Sequence, residues 1–90
     1  MTIRLSDDII KKLKRLERKN KKLNLRIEKQ LALFSQNPKH PSLRLHKLTG
    51  ELKNLRSISI TKSIRMTYLQ KQDEAYFTDI GTHDEVYKNN

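Results

Sequence analysis

The sequence has no cysteine among its 90 residues. Disulfides and thiolate zinc sites are therefore excluded, and a reducing compartment suits the chain. Its two glycines are too few for a glycine-rich phosphate loop. No apolar run approaches the roughly 20 residues that a membrane span requires. The opening residues Met1, Thr2, Ile3, Arg4 and Leu5 lead straight into Ser6, Asp7 and Asp8 and form no apolar export signal. A cytoplasmic protein with no membrane partner is expected. His40, His46 and His83 lack the spacing of metal ligands, and Asp79, Asp84 and Glu85 form no recognised cation loop, so neither a metal nor a cofactor is expected.

Carboxylates are also scarce. Ten acidic residues face 20 lysines and arginines, for a formal net charge of +10. On one small domain such an excess repels itself and draws polyanions: nucleic acid first, then an acidic protein, then an anionic membrane surface. The excess is densest at Lys11, Lys12, Lys14, Arg15, Arg18, Lys19, Lys21 and Lys22, opposed by Glu17 alone. This run is either a face that tracks phosphates or a solvated helix face.

Ninety residues suffice for one domain with a modest core. Residues 1–5 alternate weakly, as a short strand does. Ser6 has the character of a helix N-cap, with Asp7 and Asp8 where the helix dipole favours negative charge. Ile9, Leu13 and Leu16 follow at helical spacing. Leu23, Ile27, Leu31 and Phe34 resume it before Pro38 ends it. The polar residues 18–22 between the two sets allow one long helix with a break or a hairpin turning near Asn20. Only the hairpin lets both halves bury in so small a globule, so a helical hairpin is expected over about residues 6–37. After Pro38 and Pro41 the period becomes alternating. Residues 43–48, 57–61, 65–69 and 75–80 read as strands, with a turn at Gln72, Asp73 and Glu74 and a stop at Gly81. The expected architecture is α+β, an N-terminal strand and a two-helix hairpin packed on an antiparallel sheet. The sheet and a C-terminal segment occupy about residues 42–88.

Strand alternation puts Leu43 and Leu45 toward the helices and Arg44 and His46 on the open face. Arg65, Thr67 and Leu69 share a face, and His83 and Tyr87 follow the last strand, positioned to fold back over the sheet end toward His46. That combination suits one chemistry. Cleaving RNA by its own 2′-hydroxyl needs a base, an acid and positive charge on the phosphorane-like transition state, and no metal. Histidine, with an unperturbed pKa near 6.5, serves the proton transfers. Arginine serves the phosphate. A tyrosine stacks on a base or donates to phosphate. By spacing alone each of these residues also has an ordinary structural role, and composition does not make the chain an enzyme.

Three segments in order carry a more specific signal: PSLRLHKLTGELKNLRSI at 41–58, IRMTY at 64–68 and IGTHDEVY at 80–87. Together they resemble the RelE/ParE superfamily of type II toxin–antitoxin toxins, in its RelE/StbE and YafQ-like branch. The resemblance implies the RelE/ParE fold over a single domain. It also implies an endoribonuclease that cuts mRNA, in the RelE branch on the ribosome, and that a cognate antitoxin holds inactive in a hetero-oligomer. His46, His83 and Tyr87 fall on residues used by the YafQ-like branch, and Arg65 on an arginine common to RelE-like toxins. Lys47, Lys53 and Arg56 fall where relatives bind the RNA backbone, and Arg44 joins them as an exposed base. Two positions depart from the pattern: Ser59 stands where YafQ-like toxins carry a histidine, and Ser63 where they carry an acid. A ParE-like inhibitor of DNA gyrase, and a catalytically weak RNA- or protein-binding member of the fold, are the alternatives. An acidic antitoxin would suit the basic surface and fold on binding it.

Overall fold

The computed structural model describes residues 1–47, 54–82 and 86. The order is β1 (Thr2–Leu5), α1 (Asp7–Lys19), α2 (Lys21–Gln36), a 3-10 turn (Pro41–Leu43), β2 (His46–Lys47), β3 (Leu55–Ser59), β4 (Ile64–Lys71) and β5 (Glu74–Thr82). Ser6 caps α1 by accepting the Ile9 N–H at 3.1 Å. Asp7 and Asp8 lie in its first turn, Arg18 and Lys19 in its last, complementing the helix dipole at both ends. The hairpin turns on one residue. Asn20 closes α1 by donating its N–H to the Leu16 carbonyl at 2.8 Å and opens α2 by accepting the Leu23 N–H on Oδ1 at 3.1 Å. The expected hairpin thus forms, and its polar centre is the double cap.

Among the described residues the sheet has five strands in the order β1-β5-β4-β3-β2. From β2 to β5 the pairing is the expected antiparallel meander. β1 joins the far edge parallel to β5, with Ile3 opposite Ala75 and Leu5 opposite Phe77, so the sheet is mixed. Parallel neighbours need a long connection, and the helices with the meander supply it. A register shift at Thr67 and Tyr68 against Phe77 and Asp79 bends the β4–β5 ribbon.

The helices cover one face. Ile9, Ile27, Phe34, Leu43, Ile58, Ile60, Met66, Tyr68, Ala75, Phe77 and Ile80 form the core. Phe34 of α2 meets Tyr68 and Phe77 edge-on, with ring centroids 5.0 and 5.5 Å apart. Gln30 is buried in this layer and donates Nε2 to the Ser59 and Ser42 carbonyls at 2.8 and 3.4 Å, tying α2 to β3 and the 3-10 turn. Among the described residues no helix is long and apolar enough to cross a membrane.

One expected strand is corrected. Residues 43–48 do not run extended throughout: among the described residues β2 covers His46 and Lys47 alone. Pro41 starts a 3-10 turn, which His40 caps by accepting the Ser42 N–H on Nδ1 at 3.1 Å. Arg44 then adopts φ 45°, in the left-handed region. Leu43 reaches the core from the turn, which imitates the alternation of a strand. The expected sharing of a face by Arg44 and His46 fails for the same reason, because alternation begins only at His46. Leu48 lies outside the described residues.

Candidate active site

Residues directly opposite in a ladder share a face, so register maps the side away from the helices, on which Ser57 and Thr67 are nevertheless buried. Ser57 stands between His46 of β2 and Thr67 of β4. Ser59 is opposite Arg65, and Arg65 is opposite Gly81. The far part of this face is less polar: Leu55, Leu69, Tyr76 and Arg4 follow one another across the sheet. There Arg4 pairs with Glu74 at 3.2 Å and lies 5.4 Å from the Tyr76 ring centre.

Arg65 is the fixed point of the polar part. Its Nε donates to Ser57 Oγ at 2.9 Å, and Nη2 donates to the Arg44 and Ser57 carbonyls at 2.7 and 3.3 Å. Those three bonds hold the guanidinium on one edge. All three acceptors are neutral, and no carboxylate pairs with Arg65 among the described residues. Among the described residues its positive charge is therefore oriented without being neutralised, which is the state that suits a phosphate oxygen. Gly81 places no side chain opposite it. The left-handed Arg44 brings a carbonyl to Arg65, so the backbone feature that ended the strand also builds the site.

His46 is exposed on β2 and opposite Ser57. Ser57, which anchors the guanidinium, is thus also the register partner of His46. Its role as anchor was not anticipated; a small hydroxyl alternating with Ile58 on a strand was the available signal. Ser59 Oγ donates to the Thr61 carbonyl at 2.8 Å, so that hydroxyl helps to close the β3–β4 turn. Ser63 is exposed in the same turn, where its N–H meets Thr61 Oγ1 at 3.2 Å. Among the described residues no cluster of three or more histidine or carboxylate side chains forms a metal site.

The expected basic set divides. Lys47 is opposite Arg56, and Arg56 is opposite Tyr68, which places Lys47 and Arg56 on the helix-covered side, away from His46 and Arg65. Arg44 lines a pocket with them. Arg56 donates Nη1 to Gln70 Oε1 at 2.6 Å. Beside it the Tyr68 hydroxyl is buried without a hydrogen bond of acceptable geometry among the described residues. Burial pushes the Tyr68 pKa up, and the neighbouring Arg56 opposes that shift, by its charge and by a polar contact. His83, Tyr87 and Lys53, three of the expected site residues, lie outside the described residues.

This architecture is that of the RelE/ParE toxins. The chain is similar to the YafQ structure from E. coli strain BL21(DE3), with a TM-score of 0.74 and 20% identity over 94% of this chain and 96% of that one. It is similar to YoeB in a YoeB–YefM complex from Staphylococcus aureus, with a TM-score of 0.75 and 20% identity over 92% and 97%. A YoeB/ParE toxin from Agrobacterium tumefaciens gives a TM-score of 0.76 at 14% identity over 92% and 99%. At these identities the likeness is one of fold. No curated protein matches. The family model described as the bacterial toxin of type II toxin–antitoxin system, YafQ, matches residues 1–88, and the chain belongs to that family.

Proposed function

We propose that this toxin is a metal-independent endoribonuclease that cuts mRNA, acting on ribosome-bound message, by attack of the RNA 2′-hydroxyl on the adjacent phosphate. The observation that carries the proposal is Arg65, anchored by three neutral acceptors on the same face as His46. Arg65 holds the scissile phosphate and stabilises the charge that grows on its oxygens. His46 and His83 divide the proton transfers, and Tyr87 supports a base or the phosphate. With Ser59 and Ser63 in place of a further histidine and an acid, the proton chemistry rests on fewer groups, and the ribosome assists by orienting the message.

Induced expression is expected to arrest growth and to yield mRNA fragments ending in 2′,3′-cyclic phosphate. Arg65→Ala is expected to relieve both. Growth arrest with intact mRNA and defective DNA supercoiling would instead favour inhibition of gyrase.

An acidic antitoxin is the proposed protein partner, in a toxin–antitoxin hetero-oligomer. A solved complex contains E. coli YafQ with DinJ. On this chain a groove of about 390 Å3 has an apolar floor at Leu16, Leu23, Ile64 and Ile80 and a basic rim at Lys12, Arg15 and Lys19. Those features suit an amphipathic acidic segment. Arg15→Glu is expected to weaken the complex with the antitoxin by tenfold or more, in line with the cost of like charges facing across an interface; unchanged affinity would remove this groove from the interface.

A further inference from the structure

Away from Arg65 the same sheet face changes character, and the chemistry above makes no use of that part. Leu55 of β3, Leu69 of β4, Tyr76 of β5 and Arg4 of β1 stand opposite one another in turn. They form one row across four strands. Leu69 is 40% exposed, and Leu55 and Tyr76 are half-buried. The row is also electrically quiet. Arg4, its one charged member, pairs with Glu74 at 3.2 Å. The Arg4 guanidinium carbon lies 5.4 Å from the centre of the Tyr76 ring, within cation–π range. Glu74 thus positions the guanidinium, and the guanidinium positions the ring.

That composition decides between ligands. A phosphate gains little from a row whose one cation already has a carboxylate partner. A flat, uncharged ring gains apolar contact with the leucines and stacking on the tyrosine or on the guanidinium plane. The row's place supplies such a ring. Leu69 follows Arg65 on β4 by four residues and on the same face, about 13 Å away at a strand's rise of roughly 3.3 Å per residue. A single strand of RNA with one phosphate at Arg65 covers that distance within a few nucleotides. From this juxtaposition we propose that Tyr76, with Arg4 and Leu69, is a stacking platform for a nucleobase of the message, a few nucleotides from the phosphate held by Arg65. The platform rests on the ribonuclease proposal for the identity of its ligand. It adds a contact to a base where Arg65 contacts phosphate. Every base presents a π face, so the platform holds the strand without requiring a sequence.

The test uses the full chain and two fully 2′-O-methylated RNA oligonucleotides, which lack the attacking hydroxyl and read binding alone. The two have the same length and the same phosphates. One carries every base; the other keeps a central dinucleotide and is abasic on both sides of it. They are titrated without ribosomes at low salt, where phosphate contacts are strong. Tyr76→Ala should weaken binding of the base-complete oligonucleotide by about fivefold or more, the usual loss when a stacked aromatic is truncated, and of the abasic one by less than about twofold. Tyr76→Leu, which keeps apolar bulk on the strand, should show the same selective loss in weaker form. Tyr76→Phe keeps the ring and should match the unmodified chain on both. Leu25→Ala, which trims an exposed leucine of α2, should change neither. Equal loss on the two oligonucleotides in both the alanine and the leucine variant would overturn the platform. So would an unmodified chain that does not prefer the base-complete oligonucleotide, or a loss confined to ribosome or antitoxin affinity. The two proposals fail separately: a chain that shows the Tyr76 difference but never cuts RNA loses the nuclease, whereas one that cuts but binds without regard to Tyr76 loses only the platform.

Discussion

At the scale of residues, Arg65 and Tyr68 show how neighbours on one strand take opposite assignments from the two faces of the sheet. Arg65 faces outward, and its three neutral acceptors orient it without neutralising its charge. Tyr68 faces inward and carries its hydroxyl into the core, without a satisfactory partner among the described residues. An unsatisfied buried polar group costs about 1–3 kcal/mol. Tyr68→Phe is therefore expected to raise stability by roughly 1 kcal/mol, measurable by denaturant titration at neutral pH. Burial, the larger effect, raises the Tyr68 pKa above its ordinary 10.0. The folded state thus favours the neutral phenol. That contribution is present below pH 10 and is lost as pH rises through the folded value. Tyr68→Phe should lose less stability than the unmodified chain in alkaline solution; parallel alkaline curves would contradict this assignment.

At the scale of elements, what the sequence discloses depends on whether the deciding contacts are local. The hairpin was legible because residues 18–22 interrupt two helical patterns and Asn20 is a good cap for the second. β3 and β4 were legible because Ile58 and Met66 alternate with polar neighbours, and β5 because the run from Ala75 to Ile80 stands between a turn and Gly81. The start of β2 was not, since Leu43 reaches the core from a 3-10 turn and leaves the same alternation in the sequence. The parallel pairing of β1 was not either: Ile3 and Leu5 announce a buried face, but their partners Ala75 and Phe77 are far along the chain. In the site, Arg65 was found by its resemblance to the toxins, whereas its support from Ser57 and the Arg44 carbonyl depends on a left-handed backbone that no local pattern announced. The dual role of Asn20 carries a prediction. Asn20→Ala should cost about 1 kcal/mol through loss of the α2 cap, whereas Asn20→Gly should cost only a few tenths. For a domain of this size the alanine change lowers Tm by roughly 4–8 °C, and equal melting of the two variants would show that the Asn20 side chain does not act as a cap.

At the scale of the whole molecule, the formal charge of +10 is distributed with some order. α1 presents Lys12, Arg15 and Lys19 around an apolar groove, the sheet face away from the helices carries the anchored Arg65 and an exposed His46, and the β2 edge has a basic pocket on its other side. A uniformly basic surface would bind any polyanion. This arrangement separates the groove between Leu16, Leu23, Ile64 and Ile80 from the face on which His46 and Arg65 lie together. RNA cleavage through Arg65 is tested most directly by single-turnover cleavage of a defined message on purified ribosomes, comparing the unmodified chain with Arg65→Ala. The expected result is fragments with 2′,3′-cyclic phosphate ends and a rate that falls by about 100-fold or more in the variant, the usual loss when an oriented transition-state donor is removed. Equal cleavage rates for the two proteins, or an intact message with the unmodified chain, would contradict it.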